Sequence, residues 1–285
     1  MPLDAGRDQG GIYRHIAREE SVPALLDKGD FTSISWWDIV RKLVPPAENR
    51  DEVIQGNIVD TILWDDNGKP TQYIYTNLEG NMALKSAAAL RGNRVMEDFL
   101  KIGAKLQPAA IDDPATFVAV STASDDLNNS VFLDKATLGS RLKQVGSLKS
   151  SILQCFVPSK GDKAVNHTYE TKFWLDRTAR HHVKSDYVVM SATVGGNRNT
   201  TKIANKSRAN NASMEKTIML LVIRIQRCFG CRVVKMSLEF VQDINGEVWL
   251  SRCIECMVAF ETDSAGARTG SPSRFKNKRI GAAAE

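Results

Sequence analysis

The sequence has no long apolar run, because the longest, residues 218–223, is far short of the roughly 20 residues that a membrane-spanning helix needs. Residues 1–8 contain acids and no apolar core, so neither a secretory signal nor a transit peptide is predicted. Five cysteines without an export signal favour reduced thiols over a disulfide framework. We therefore expect a cytoplasmic protein that does not bind membranes.

The common catalytic signatures are also missing. The sequence has no phosphate-binding Gly-x-x-x-x-Gly-Lys-Ser/Thr loop, no Gly-x-Gly-x-x-Gly, no His-Glu-x-x-His and no Gly-x-Ser-x-Gly. His181 and His182 stand near Asp176, but neighbouring residues of a strand face opposite sides, which favours a surface role. The sequence thus predicts no catalytic residue, no cofactor and no enzymatic activity.

The composition is that of a folded protein with an uneven charge. Hydrophobic residues make up 42% and charged residues 25% of the 285 positions, which excludes collagen-like and wholly disordered chains. Residues 1–150 carry 17 Lys and Arg against 21 Asp and Glu, whereas residues 151–285 carry 21 against 12. The second half is therefore cationic, which is typical of proteins with a polyanionic partner and equally of solvated loops.

The basic residues concentrate in two segments that lack apolar patterning, a linker at 194–212 and a tail at 261–285. We expect both segments to be flexible and to bind an acidic partner. The candidate partner-binding residues are Arg198, Lys202, Lys206, Arg208, Lys276, Lys278 and Arg279.

Hydrophobic periodicity predicts an α+β fold with a mainly antiparallel sheet and a long buried helix, preceded by a smaller helix and hairpin unit. Residues 1–50 form a helical segment, in which Ser33 or Ser35 caps a helix over residues 36–44 whose paired tryptophans belong to the core. Residues 51–146 form an α+β unit with a hairpin at the Asn67-Gly68 turn. Residues 147–260 hold an antiparallel meander, a helix and a second hairpin.

The helix of this last unit is predicted to begin after a Ser213 cap, and Gly230 is placed to end it. Strict alternation then predicts a strand over residues 234–240, which pairs with residues 248–260 across a turn that ends in Gly246. The register expected for this hairpin pairs Cys256 with Val234 and Cys253 with Ser237.

Two Cys-x-x-Cys pairs, separated by 21 residues, offer the one metal-like spacing in the chain. Their cysteines are Cys228, Cys231, Cys253 and Cys256. The hairpin spreads these thiols along the ladder and turns Cys253 and Cys256 to opposite faces, whereas zinc requires four sulfurs within about 4 Å of one another. We favour the hairpin, and keep a zinc-stabilised domain as an alternative.

RNA binding is a second alternative, because aromatic residues and cations are interleaved in the meander. The aromatic residues are Tyr169, Phe173, Trp174 and Tyr187, and the cations are Lys163, Lys172, Arg177, Arg180 and Lys184. No signature of a known RNA-recognition module accompanies them.

The order of elements in the second unit carries a resemblance. A strand over residues 152–157 followed by Lys160-Gly161, a second strand at residues 169–174, a basic linker, a long apolar helix and the hairpin segment 241–250 resemble those of protist cilia- and flagella-associated proteins. The resemblance covers about residues 151–260 and carries no catalytic residues. It implies a non-enzymatic, microtubule-associated component of the cytoskeleton, located in the axoneme of a cilium or flagellum. Its implied partners are tubulin or other axonemal proteins.

Overall fold

The computed structural model describes residues 31–44, 54–106, 116–123, 130–144, 146–158, 165–192, 198–204 and 207–260. These residues form two six-stranded antiparallel sheets and four α-helices, which confirms the predicted α+β class. The predicted basic tail and most of the predicted N-terminal helical segment lie outside the described residues. Within the described ranges, no helix combines the length and the apolar character that crossing a membrane requires.

The elements follow one another in this order: β1 (Thr32–Ser33), α1 (Trp36–Leu43), β2 (Thr61–Trp64), β3 (Pro70–Thr76), β4 (Met82–Leu84), a 3-10 helix (Ala87–Leu90), α2 (Gly92–Leu106), β5 (Phe117–Ala123), β6 (Ser130–Asp134), α3 (Lys135–Lys143), β7 (Ser151–Cys155), β8 (Val165–Leu175), β9 (His181–Ala192), β10 (Arg198–Ala204), α4 (Arg208–Phe229), β11 (Cys231–Gln242) and β12 (Val248–Phe260). The N-terminal sheet has the strand order β4-β3-β2-β7-β5-β6. The C-terminal sheet has the order β1-β12-β11-β8-β9-β10.

Helix α1 begins where its capping residue predicts. The Ser35 hydroxyl accepts a hydrogen bond from the backbone N–H of Asp38 at 3.1 Å, which satisfies one of the unpaired donors of the first turn. The buried residues of this helix are Trp36, Ile39, Val40 and Leu43. The face that these residues share packs in the larger hydrophobic core, as the sequence predicted.

Helix α4 is the long buried helix, but it begins earlier than predicted. Its N-cap is Ser207, whose hydroxyl accepts from the N–H of Asn210, and Gly230 ends it in the left-handed conformation, as expected. Residues 198–204, predicted as flexible linker, form β10, which pairs antiparallel with β9. The linker prediction is therefore wrong for these residues, because backbone pairing along β9 orders a segment that has few apolar side chains.

The β11–β12 hairpin is present, with the predicted register next to its turn, where Gln242 pairs with Val248. Irregularities farther along shift the pairing by one residue at a time, so Cys253 lies opposite Leu238 and Cys256 opposite Met236. Strict alternation ignored these bulges. In consequence both cysteines belong to the larger core cluster, and the prediction that they face opposite sides is wrong.

The two sheets are joined directly. β7, which the sequence placed in the second unit, pairs with β2 and β5 in the N-terminal sheet. The side-chain amide of Gln154 in β7 donates to the Ser251 carbonyl oxygen of β12 at 2.7 Å. Ile58 also forms an isolated parallel bridge with Leu250. One hydrophobic core therefore takes side chains from both sheets and from α1 and α4.

Four hairpin turns share one local design, in which an Asp or Asn side-chain oxygen accepts backbone N–H groups two and four residues farther on. The turns begin at Asp65, Asn77, Asp176 and Asp243. The fourth residue has a positive φ in each turn, and these residues are Gly68, Gly80, Ala179 and Gly246. Only the third turn thus lacks the glycine that tolerates this conformation.

Replacing Ala179 with glycine is expected to raise the free energy of unfolding by about 0.5–1 kcal/mol. The left-handed conformation costs an L-residue roughly 1–2 kcal/mol, which glycine avoids. The greater conformational entropy of glycine in the unfolded chain offsets part of this stabilisation. Thermal or urea unfolding measures the change. The control Ala83→Gly in strand β4 should lose stability instead. An A179G protein no more stable than the parent would contradict the account of this turn.

Candidate functional site

The C-terminal sheet has two faces of different character. One face packs its apolar side chains, such as Phe173, Met236 and Leu238, against the core that contains α4. The alternating residues of the same strands point away from that core and are mostly charged. We call them the polar face, and they are Glu170, Lys172, Lys184, Asp186, Ser237, Glu239 and Arg252.

Three carboxylates form a row across the polar face. Glu239 of β11 lies directly opposite Glu170 of β8, and Glu170 lies directly opposite Asp186 of β9. Like charges that face one another on adjacent strands destabilise a sheet. The repulsion within this row of carboxylates therefore destabilises the sheet unless cations compensate for it.

Each carboxylate of the row has a cationic partner on the same face. The ion pairs are Arg252–Glu239 at 3.1 Å, Lys172–Glu170 at 3.4 Å and Lys184–Asp186 at 3.0 Å. The three carboxylate side chains are only 12–17% exposed, whereas the three cationic side chains are 30–59% exposed. The acids thus lie close to the sheet, and the flexible cations lie over them.

Ser237 adds a hydrogen bond to this layer. It is buried, and its hydroxyl donates to Glu170 Oε1 at 2.9 Å. The carboxylate of Glu170 is therefore held both by this hydroxyl and by the Lys172 ammonium. Replacement of the exposed Lys172 ammonium by another positive group would leave the contact between Ser237 and Glu170 in place.

Carboxylate oxygens under a layer of Lys and Arg suit a ligand that brings both a hard cation and phosphate groups. Mg²⁺ is usually bound by one or two carboxylates together with substrate phosphates, while Lys and Arg neutralise the remaining phosphate charge. No three His, Cys, Asp or Glu side chains converge on a metal position within the ranges that the structure describes. Glu239 and Glu170 would therefore hold such a cation only together with the phosphates.

A second polar cluster lies on the N-terminal sheet, where Lys85 contacts two carboxylates. Its ammonium is 3.1 Å from Asp60 Oδ2 and 2.8 Å from Asp98 Oδ2. The hydroxyl of Tyr73 donates to the same oxygen of Asp60, and the Lys85 ammonium lies 3.9 Å from the centroid of the Tyr73 ring. These contacts link strand β3 and helix α2 to Asp60, which precedes β2, and to Lys85, which follows β4.

Burial dominates the electrostatics of the Lys85 cluster. It raises the pKa of Asp60, although the neighbouring Lys85 opposes the shift, and it also raises the pKa values of Tyr73 and Cys155. The Lys85 side chain is 22% exposed, whereas the three cations of the polar face are 30–59% exposed, so this cluster offers a ligand less accessible positive charge. We assign it a structural role.

The structure describes only some of the predicted partner-binding cations. Arg198 and Lys202 lie in the paired strand β10, and Arg208 is the exposed first residue of α4. Lys206, Lys276, Lys278 and Arg279 lie outside the described residues.

The four cysteines of the zinc alternative come from α4, β11 and β12. Cys228 lies near the end of α4 and Cys231 begins β11 opposite Phe260. Burial raises the pKa of the Cys231 thiol to about 12, and it also raises the pKa values of Cys253 and Cys256. Within the described residues, no three of these thiols converge on a metal position.

The meander proposed for RNA does not present its aromatic residues together. Tyr169 and Phe173 are buried in the core, whereas Trp174 is on the opposite face of the strand. His181 stacks on Phe173 and His182 on Trp174, so the two histidines face opposite ways, as predicted. The aromatic set therefore does not form an RNA-binding platform.

The polar face was missed, although part of its signal is in the sequence. Between residues 168 and 175, polar or exposed positions alternate with Tyr169, Thr171, Phe173 and Leu175, which marks a strand with one buried face. The same alternation was recognised in β11. What the sequence did not reveal is that β8 pairs with β11, because helix α4 separates them along the chain.

No protein-family model and no curated protein matches this chain. Solved structures do match it, but with low TM-scores, which lie between 0.31 and 0.40 for eight of them. This chain spans between 37% and 56% of the length of these eight chains.

Three of these structures illustrate the likeness. The ATP-grasp ligase PsnB, complexed with a phosphomimetic precursor variant, Mg and ADP, is 10% identical over 81% of this chain and 51% of that chain, with a TM-score of 0.40. D-cycloserine synthetase DcsG is 11% identical over 69% and 56%, also at 0.40. D-alanyl-alanine synthetase A from Vibrio cholerae is 8% identical over 69% and 50%, at 0.38.

These comparisons contradict the predicted non-enzymatic structural protein of the cytoskeleton or axoneme. By name, all eight proteins are synthetases or ligases, which are enzymes, and none is a microtubule-associated or ciliary protein. The comparisons do not bear on the resemblance to axonemal proteins, on tubulin as a partner or on the cellular location.

Proposed function

We propose that the polar face binds a nucleoside triphosphate together with Mg²⁺, as part of an ATP-dependent ligation. The observation that carries the proposal is the row of three carboxylates in direct register, each paired with a cation above it. The ADP and Mg with which PsnB is complexed are ligands of this chemistry, and they make ATP the first ligand to test.

The ion pairs of the polar face lower the electrostatic cost of binding a metal–phosphate ligand there. In the absence of ligand, Arg252, Lys172 and Lys184 neutralise the carboxylates. With Mg²⁺ and phosphates bound, Glu239 and Glu170 would hold the metal, and Arg252 and Lys172 would pair with phosphate oxygens. Lys184 would keep its pair with Asp186, so that no carboxylate would be left without a positive partner. Bound Mg²⁺ would itself neutralise charge on the phosphoryl oxygens. Glu239 and Glu170 are the residues that would hold it.

Exchange of Glu239 for glutamine is expected to lower the affinity for ATP in the presence of Mg²⁺ by about 10-fold, because a charged partner of the metal is removed. Without Mg²⁺ the affinity should change much less. Isothermal titration calorimetry with and without Mg²⁺ measures both values. The matched control is Glu97→Gln, since Glu97 also pairs with an arginine, Arg94, at 2.8 Å but lies on helix α2.

Two results would overturn the proposal: a wild-type protein that does not bind ATP, or an E239Q protein whose Mg²⁺-dependent affinity equals that of the wild type. The ligation is tested separately. Release of phosphate from ATP should increase when pools of small carboxylic acids and amines are added, and it should fall in E239Q. Binding without any turnover in such pools would contradict the ligase assignment.

A further inference from the structure

Next to the polar face, two flat side chains form an exposed stack. Trp174 of β8 and His182 of β9 lie directly opposite each other, with ring centroids 5.3 Å apart and an angle of 19° between the ring planes. Trp174 is 37% exposed, although its neighbour Phe173 is fully buried. An exposed aromatic ring offers a flat apolar surface on which a planar ligand group can stack.

The orientation of the stack is fixed by the turn beside it. Asp176 Oδ2 lies 2.8 Å from His182 Nε2, and the two side chains are partly exposed. The other oxygen of Asp176 accepts hydrogen bonds from the N–H groups of Thr178 and Arg180. The His182 bond also helps to lower the pKa of Asp176, which keeps the carboxylate ionised. The platform is therefore held in place before any ligand binds.

The register places this stack in line with the polar face. The Trp174–His182 pair is two residues along each strand from the Lys172–Lys184 pair, and the Glu170–Asp186 pair lies two residues beyond the lysines. At about 3.4 Å per residue, the stack is roughly 7 Å from the lysines and roughly 14 Å from the carboxylates. Lys235, opposite Trp174 on the other side of the stack, forms an ion pair with Glu255 at 2.8 Å.

This spacing matches the order of groups in an extended nucleotide. Its base is flat and apolar on both sides, its phosphates are anionic, and its metal lies at the phosphate end. On the sheet, the flat rings, the lysines and the carboxylates follow one another in the same order. Stacking on an aromatic ring contributes to binding for any base, because every base has a π-face.

We propose that Trp174, stacked on His182, binds the base of the nucleotide whose phosphates and Mg²⁺ occupy the polar face. This inference rests on the function proposed above. It assigns the base end of the ligand to the β8–β9 hairpin and makes Asp176 a positioning residue, which acts by holding His182. Because stacking involves the face of the base and not its exocyclic groups, ATP and GTP bind with similar affinity.

The test compares nucleotides with inorganic tripolyphosphate, which has the phosphates without the base. Trp174→Ala should weaken Mg²⁺-dependent binding of ATP and of GTP by roughly 10-fold and leave binding of tripolyphosphate unchanged. Trp174→Phe should restore most of the loss. Phe132→Ala removes an equally exposed aromatic ring from the N-terminal sheet and should change neither affinity. Thermal unfolding of each variant checks that it is folded.

The outcomes separate this inference from the proposed function. If the wild-type protein binds neither ATP nor tripolyphosphate, both proposals fail. If it binds ATP and tripolyphosphate equally well, and W174A changes neither, the site holds phosphates only and the base platform is wrong. If W174A weakens the binding of ATP and of tripolyphosphate equally, Trp174 supports the fold of the polar face. That result also overturns the proposed contact with the base.

Discussion

Replacement of Gly68 by alanine is expected to lower the free energy of unfolding by about 3 kcal/mol. A Cβ at this position would lie 2.7 Å from the Cα of Gly146 and 3.0 Å from its backbone nitrogen. Backbone atoms cannot rotate away as a flexible side chain can, so one of the two turns must move. Gly68 also has a φ of +72°, which adds strain for any L-residue.

The contact between these turns is part of a larger junction. The N–H of Ser150 donates to the Asp65 carbonyl oxygen at 3.0 Å, and the Ser150 hydroxyl donates to Asp66 at 2.6 Å. A shift forced by alanine would therefore also lengthen these hydrogen bonds. Loss of both bonds would add to the cost of the steric clash.

Gly80 provides a matched control, because it has the same place in the same kind of turn. Its φ is +75°, and a Cβ added there would meet nothing within 4 Å. Gly80→Ala should therefore cost only the backbone strain, about 1 kcal/mol. Urea unfolding of the two variants measures the difference, which isolates the clash with Gly146. Equal losses in the two variants would contradict the role of the close approach.

Replacement of Lys85 by methionine is expected to lower the free energy of unfolding by about 2–3 kcal/mol at about pH 7. The change leaves the Asp60 and Asp98 carboxylates without the ammonium that both now contact. Removing one partner from a fully buried pair costs more than this, and the partial exposure of Lys85 reduces the penalty. The ring contact with Tyr73 is lost as well.

The loss of unfolding free energy in K85M should be larger at neutral than at acidic pH. Burial raises the pKa of Asp60 in the folded protein, and Lys85 is the main group that opposes the rise. A carboxyl whose folded pKa is raised stabilises the fold when protonated, and this contribution is lost as the pH rises through that pKa. Without Lys85 the pKa rises further, so the deficit of K85M should be smaller at about pH 4 than at about pH 7.

Unfolding by urea at both pH values tests this behaviour. Lys101→Met, on the exposed side of helix α2, is the matched control and should change stability little at either pH. The double variant K85M/Asp98→Asn should lose less than K85M alone, because one of the two unpaired carboxylates is then neutral. A K85M deficit that is the same at both pH values would contradict the proposed effect on Asp60.

The local parts of the fold could be predicted from the sequence because their signals are short-range. Ser35 caps α1, Gly230 ends α4, and the Asn-Gly turns close hairpins at Gly68 and Gly246, as expected. Each of these outcomes depends on side chains and backbone angles within about four residues. The surrounding fold reinforces these preferences and does not reverse them.

The errors arose where contacts between distant residues decide the structure. The backbone of β9 orders strand β10, whose own sequence is polar and basic and which was therefore predicted to be a flexible linker. The bulges of β12 were missed for a similar reason: they bring Cys253 and Cys256 into the core, where burial outweighs strict alternation. Neither the strand β10 nor these bulges could be predicted from the secondary-structure propensities of the residues.

The candidate site was beyond prediction for the same physical reason. Glu239 lies on the polar side of its strand, which agrees with the alternation over residues 234–240, but Glu170 and Asp186 come from strands that are remote from it in sequence. Only the pairing of β8 with β11 places the three carboxylates side by side. No short segment of the sequence contains all three carboxylates, so no local motif indicates the site.

The shared core also bears on how the protein unfolds. Leu63 and Ile74 of one sheet pack in the same cluster as Phe240 and Leu250 of the other, and Gln154 bonds across the junction. Excising either sheet would leave a broad apolar surface in contact with water. The two sheets consequently depend on each other for stability, so cooperativity extends across the junction and neither sheet is an autonomous folding module.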